Sequence, residues 1–396
     1  MKRFRLPYTQ ITGDPECVDD ERSAHYGQIA ERSRVPSPDW LGWCSACIRE
    51  SEDLWLYYRL MSFRKDVSLM LMLLAGAAAA SDHLVIQGKD GPGKGKHIVL
   101  VSGDEEYRSE QALPQLARIL SERHGFDCTV LFAIDPEDGT INPDRTDNIP
   151  GLEALDRADL MILFTRFRNL PDSQMKHIVD YVESGRPVVA MRTATHAFAL
   201  TASATYQRYS WNSKQWEGGF GRQVLGETWI AHHGRHGVES TRAIVVAGQE
   251  RHPILRGIQS GAIWVPTDVY KVRLPLPDGT QPLLLGEVLA GMSSSDAPVA
   301  GKQNDPMMPV AWTRTFTGAQ GKAARIFTTT MGSAQDLLNE GFRRLLVNAC
   351  YWAIGMERRI SGRSSVELVG AYEPLPFKSG GAAKGVKPSD LEVPMR

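Results

Sequence analysis

Between residues 96 and 191 the chain alternates short, wholly apolar runs with stretches whose apolar positions recur at helical spacing. HIVLVSG after Lys96 is an apolar run closing on Gly103, and from Ser109 to His124 the residues Leu113, Leu116, Ile119 and Leu120 share one helical face. Phe126–Phe132 predicts a second strand, followed by a Pro/Asp/Asn-rich connection to Pro150. Ala158–Phe164 predicts a third strand, apolar throughout as strands covered on both faces are. Pro171–Ser184 predicts a helix with proline early and Gly185 beyond its end, and Arg186–Met191 a fourth strand. Strands alternating with helices predict an α/β fold with a doubly wound, mostly parallel sheet.

The second half is less regular. Residues 201–240 are rich in Gly, Trp and His and read as a long loop excursion. Strands are expected again at Thr241–Val246, Trp264–Arg273, Gln281–Val288, Met308–Thr313 and Ala324–Thr330, then a closing helix from Asn339 to Ile354 with Phe342, Leu345, Leu346 and Ala349 inward. This predicts one α/β domain over residues 95–358 and an extended tail, 359–396, draped on the surface with Tyr372 and Phe377 as anchors.

The first eighty residues follow another logic. Met61 opens a segment with Arg64 and Lys65, then a twelve-residue apolar stretch, Leu69–Ala80, ending in small residues before Ser81. That is the anatomy of a secretory signal peptide, and the stretch is too short for a bilayer span of ~20 residues. A periplasmic or secreted protein is expected, with no stable membrane anchor after cleavage. Residues 1–60 show no sustained period of 2 or 3.6 and read as an upstream extension that is not normally made. The Cys44/Cys47 pair has redox or zinc spacing but lies in that extension.

Composition narrows the partners. With 45 basic and 46 acidic side chains the chain lacks the basic excess of a nucleic-acid binder. Beyond residue 80 only Cys128 and Cys350 remain, both in apolar surroundings, and read as small buried hydrophobes. A homo-oligomer is left open.

In open α/β sheets ligands bind outside the carboxyl ends of the strands. That rule selects Asp104, Glu105, Glu106, Tyr107 and Arg108 after the first strand, Thr165, Arg166 and Arg168 after the third, and Arg192, Thr193, Thr195 and His196 after the fourth. Glu106 and Arg168 read best as a simple acid–arginine pairing, Arg192 and His196 as functional. A second cluster, Trp229–His236, holds His232, His233 and His236, which could ligate a divalent metal or hydrogen-bond a ligand. No other cofactor is implied. Met191–His196 contains no Ser, Cys or glycine pair for a nucleophile elbow, and the glycine-rich stretches lack a P-loop signature. Trp211, Trp216 and Trp229 could stack on a sugar face or fill a core beneath the loop.

From Lys96 to about Gly355 the chain resembles the trehalose-utilisation (ThuA-like) family. The resemblance rests on the order of HIVLVSGDEEYR, GRPVVAMRTATHAF, His252–Gly257, Thr267–Tyr270, Pro309–Trp312 and Arg325–Gly332 leading to Phe342. It implies a flavodoxin-like, class I glutamine-amidotransferase-like fold without the Cys-dependent amidotransferase chemistry, and it looks most like a secreted branch. Two departures stand out. Met191-Arg192-Thr193 replaces a glycine-rich strand end with Leu-His, displacing the histidine to His196, and Gly332-Ser333 replaces a Gly-His pair.

The resulting expectation is acid–base chemistry on a sugar or keto-sugar, the small-molecule partner. Arg192 and Arg166 would hold oxygens, while His196 or a histidine of the second cluster moves the proton. Asp104 and Glu105 would orient, and Tyr107, Arg108, Trp229, His232, His233 and Asp268 would contact substrate. The alternatives are a non-catalytic carbohydrate-binding module and a metal-assisted hydrolase on His232, His233 and His236.

Overall fold

A computed structural model describes residues 81–392 apart from 202 and 204, and these belong to one compact unit, Ala77–Arg396. The readings placed on residues 1–60, on the segment 61–80 and on Cys44 and Cys47 lie outside the described residues.

The strands are β1 (His83–Ile86), β2 (His97–Gly103), β3 (Asp127–Leu131), β4 (Leu160–Thr165), β5 (Val188–Met191), β6 (Ala231–His232), β7 (Ser240–Val245), β8 (Ile263–Val265), β9 (Tyr270–Lys271), β10 (Thr280–Leu289), β11 (Met308–Thr317) and β12 (Ala323–Thr329). The α-helices are α1 (Ser109–His124), α2 (Asp172–Glu183) and α3 (Glu340–Ala353). Ten strands form one sheet in the order β1-β3-β2-β4-β5-β12-β11-β10-β7-β8. Its centre, β3 through β12, is parallel, and the flanking pairs are antiparallel.

The continuous apolar runs are explained by cover on both faces. Ile98, Leu100 and Ile162 pack with Leu113, Leu116 and Leu120 of α1 and with Phe342 and Leu345 of α3. Their neighbours Val99, Val101 and Leu163 pack on the opposite face with Met175, Ile178 and Val182 of α2. The period of two thus separates two cores, each holding one layer of helix. Helix α1 ends where Gly125 adopts φ 79°, a left-handed turn that suits glycine. Cys128 and Cys350 are free and buried, and burial pushes the Cys128 thiol up to about 12.

Two expectations are corrected. Trp264–Arg273 is not one strand: Pro266 has no N–H for a ladder, and the chain divides into β8, on the sheet edge, and β9, which leaves the sheet to pair with β6. The tail is less superficial than expected, since Ile360, Val366 and Val369 are buried in the main core. No helix among the described residues is long and apolar enough to cross a membrane.

Candidate active site

The strand order reverses at β2, whose neighbours are β3 on one side and β4 on the other, the position at which open α/β sheets form their ligand crevice. Asp104 begins the first loop. Its Oδ1 accepts from the backbone N–H groups of Glu106 and Tyr107, and its Oδ2 from the Thr193 hydroxyl. Asp104 is therefore a brace between the β2 and β5 loops.

Glu105 is the acceptor for both arginines of the β4 loop, Arg166 Nη1 and Arg168 Nη2, the latter at 2.7 Å. Burial and the neighbouring Asp104 raise the Glu105 carboxyl against the pull of those arginines. Arg168 is fully buried and spends its other donors on the Arg166, Pro143 and Arg145 carbonyls. Arg166 keeps a half-buried guanidinium at the rim, 3.4 Å from Glu106. Arg108, a candidate substrate ligand, turns instead to the tail, donating to the Pro376 and Lys378 carbonyls.

Arg192 is the centre of the site. It sits at φ 45° immediately after β5, fully buried, with its guanidinium 4.4 Å from the Tyr107 ring centre and 3.7 Å from that of Tyr270. Nη1 donates to the Asp268 and Thr330 carbonyls, both at 2.7 Å. Nη2 donates to Asp268 Oδ1 at 2.7 Å and to the Tyr107 hydroxyl at 3.0 Å. Burial works against its charge, yet Tyr107, Tyr270 and Asp268 hold its pKa well above the ordinary arginine value. These donors face protein groups, so Arg192 is a positioning residue and not the exposed oxygen clamp the sequence suggests.

The division of the expected long strand now matters. Pairing of β6 with β9 sets His232 opposite Tyr270 and carries it to Asp268, whose Oδ2 accepts from His232 Nδ1 at 2.8 Å. His236 Nδ1 lies 3.3 Å from Asp268 Oδ1 and 3.3 Å from the Tyr107 hydroxyl, while its Nε2 lies 3.3 Å from Glu106 Oε1. Burial pushes the Asp268 carboxyl up, but Arg192 and the two histidine hydrogen bonds outweigh it and keep Asp268 well below the usual carboxylate range. Burial pushes the Tyr107 hydroxyl up to about 12.

His232 Nε2 has no hydrogen-bond partner among the described residues, and its side chain is 35% exposed, so it is free to meet a ligand. His233 points away, to the Gln303 carbonyl at 2.8 Å. His196 is buried beside Phe167, Trp229 and Tyr270, its Nδ1 3.2 Å from the Thr195 hydroxyl. Burial, with the charges of Arg166 and Arg192, holds it well below the ordinary histidine pKa and hence neutral. Trp229 packs with tilted rings against His196 and Trp211, and its buried indole N–H lacks an acceptor. Such orphaned donors mark places where a ligand oxygen can complete the bonding.

The structure thus gathers Tyr107, Arg192, His232, His236 and Asp268 into one network, with His196 and Trp229 beside it. Glu106, read as part of a simple ion pair, faces His236. The sequence marks Phe377 only as an anchor of the tail and Tyr270 only as part of the Thr267–Tyr270 segment, with neither expected at the site. Phe377 belongs to the distant tail and packs 5.3 Å from His236, a contact no local pattern signals. Ser333 caps a short helix, sharing hydrogen bonds with Asp336, and offers no group to the crevice. One oxygen or nitrogen each from His232, His236 and Asp268 lie within 4.8 Å of one another, a donor set suited to a divalent ion.

A family model described as trehalose utilisation matches residues 97–353. Among solved structures, a ThuA-like protein from Bacteroides uniformis is 16% identical, covering 68% of this chain and 94% of that one with a TM-score of 0.42. A ThuA-like protein from Parabacteroides merdae is 15% identical, covering 73% and 96%, also with a TM-score of 0.42. No curated protein matches the chain.

Proposed function

The chain belongs to the trehalose-utilisation (ThuA) family, whose membership points to a carbohydrate-related function, and from that premise we propose an acid–base enzyme acting beside the carbonyl of a keto-sugar. The observation that carries this reading is the His232–Asp268 hydrogen bond of 2.8 Å with His232 Nε2 left free. An anionic Asp268 fixes the proton of a neutral His232 on Nδ1, which makes Nε2 the base, and it stabilises the imidazolium once the proton has moved. Arg192 holds Asp268 ionised and in place.

In the proposed step Nε2 of His232 takes the proton from the carbon next to the carbonyl. The C–H electron pair forms the enolate, whose negative charge on oxygen is met by Arg166 at the rim. Return of the proton from His232 to the former carbonyl carbon, with the hydroxyl proton passing from one oxygen to the other, completes an isomerisation. Departure of a β-substituent with the C–O electron pair, taking up the proton held on His232, completes an elimination. His196, neutral, and the orphaned Trp229 N–H supply hydrogen bonds to sugar oxygens.

Incubating the full chain with the 3-keto derivative of trehalose or of methyl glucoside in D2O tests the step. Deuterium should enter the carbon beside the carbonyl, and His232→Gln should stop it. Absence of both exchange and turnover for the unaltered chain would remove this reading.

A second reading rests on the cluster of His232, His236 and Asp268 as ligands for a divalent cation that would polarise a sugar oxygen. It competes with Arg192, which already neutralises Asp268. Elemental analysis decides: stoichiometric zinc or manganese, with activity lost to chelator and restored by the ion, favours the metal.

The segment from Met61 to Ala80 supports action outside the cytoplasm. Sequencing the amino terminus of the protein recovered from cells should begin at Ser81.

A further inference from the structure

Away from the crevice, helix α1 and the tail enclose a cavity of about 390 Å³. Pro114 of α1, Ile141 of the β3–β4 connection, and Tyr372, Val386 and Leu391 of the tail make its walls mostly apolar. Glu110, in the first turn of α1, also lines it, with a side chain 9% exposed.

Neither oxygen of that carboxylate has a hydrogen-bond partner. The nearest cation, Arg108, stands 3.9 Å away with its N–H groups committed to the carbonyls of Glu105, Pro376 and Lys378. Other charged groups at the cavity are spoken for or face solvent: Arg118 donates to the Leu391 carbonyl at 2.6 Å, Asp390 accepts from the Lys387 N–H at 2.8 Å, and Glu373 is exposed. A buried carboxylate offers only acceptors, so it lacks a donor. The apolar walls ask for a hydrocarbon body, and the volume lies within the roughly 300–1,000 Å³ of small-molecule sites.

We propose that this cavity is a second ligand site, distinct from the crevice, that takes a small organic amine: an ammonium head on Glu110 and an apolar body between α1 and the tail. The ammonium group supplies the missing donors, with a charge at hydrogen-bonding range where Arg108 stands at 3.9 Å. Because the pocket wall is the tail, occupancy pins the tail to α1. The site does not depend on the chemistry proposed at His232.

Burial raises the Glu110 carboxyl to about 7, so the test is made at pH 8, where it is ionised. Isothermal titration of the full chain with cyclohexylamine should show one site per chain, and cyclohexanol should bind at least tenfold more weakly. Glu110→Gln should weaken the amine at least tenfold, and Val386→Trp, which fills the cavity without touching the charge, should abolish binding. If Glu110→Gln fails to fold, the Val386→Trp variant and the alcohol comparison still decide. No binding of the amine, equal binding of the alcohol, or binding unchanged in either folded variant would overturn the proposal.

Discussion

Asp268 joins an exposed imidazole to a buried guanidinium: His232 donates to one of its oxygens at 2.8 Å and Arg192 to the other at 2.7 Å. The carboxylate is wholly enclosed, so its orientation is fixed from within and passed to His232, an end of the network that is exposed. Catalysis and stability should therefore separate along this chain of contacts.

At the outer end, His232→Gln should lower turnover by about 10²- to 10⁴-fold, the usual contribution of a positioned base, and leave the melting temperature nearly unchanged. Asp268→Asn should lose as much activity because the amide no longer fixes the imidazole tautomer. It should also lose stability, since Arg192 is left buried without its counter-charge. Keto-sugar turnover with thermal unfolding of both variants checks the pair; full activity in either would end the proposed role.

At the inner end, Arg192→Met should cost about 3–5 kcal/mol, as removal of one partner from a buried ion pair does. Arg192→Lys should not rescue it. One ammonium cannot reach the Asp268 and Thr330 carbonyls, the Asp268 carboxylate and the Tyr107 hydroxyl together, nor lie flat between two aromatic rings. Denaturant unfolding measures the loss, and a lysine variant as stable as the parent would contradict it.

These contrasts mark what the sequence could carry. Strands β2, β4 and β5 were legible because burial on both faces forces continuous apolar runs, and α1 begins and ends at the residues its periodicity indicates. Candidates after β2, β4 and β5 followed from topology alone. Which way each polar side chain turns did not follow, because it depends on partners remote in sequence. Arg192 meets Asp268 and Thr330 from two later segments, and Arg108 meets a tail some 270 residues on. The β6–β9 pairing that delivers His232 spans two residues on each strand, too short for any period.

Two buried groups should oppose each other in the pH dependence of stability. His124 lies beneath the tail, its ring nitrogens 3.1 Å from the Tyr351 hydroxyl and 2.9 Å from the Ser365 carbonyl. Burial, aided by the charge of Arg344 and opposed by the Ser365 carbonyl, lowers its pKa from 6.5 to about 4. Its contribution is complete above pH 6.5 and is lost as pH falls toward 4, because the unfolded chain takes up the proton first. Glu110 runs the other way: raised from 4.5 to about 7, chiefly by burial, it contributes fully below pH 4.5 and loses that contribution as pH rises through 7. Each slope is about 1.4 kcal/mol per pH unit, so between 4.5 and 6.5 they offset. Relative to the parent, Glu110→Gln should gain stability with rising pH and His124→Gln should lose it. Urea unfolding across that range tests the signs, and variants that track the parent would refute both.

Ser333 stands where the family resemblance expects histidine, and here it is a helix cap. It accepts from the Asp336 N–H, and Asp336 accepts in return from the Ser333 N–H and hydroxyl. Ser333→Ala should cost about 1 kcal/mol and leave turnover intact. A large loss of turnover with full stability would return this position to the chemistry.

The tail supplies the last test. Arg108 holds a left-handed backbone, φ 63°, with its side chain fully buried against the Pro376 and Lys378 carbonyls. Between those two residues Phe377 packs 5.5 Å from Tyr107 and 5.3 Å from His236, so the clamp on the tail also closes one side of the His236 environment. Loss of the guanidinium removes the donors that hold both carbonyls, and the segment should open more often without global unfolding. Arg108→Ala should then be cut faster by trypsin after Lys378. Phe377→Ala, which keeps the clamp but removes the ring, should leave cleavage slow while raising KM for the keto-sugar. If Arg108→Ala is cut at the parent's rate, the guanidinium does not hold the tail. If Phe377→Ala binds substrate as the parent does, the ring forms no part of the site.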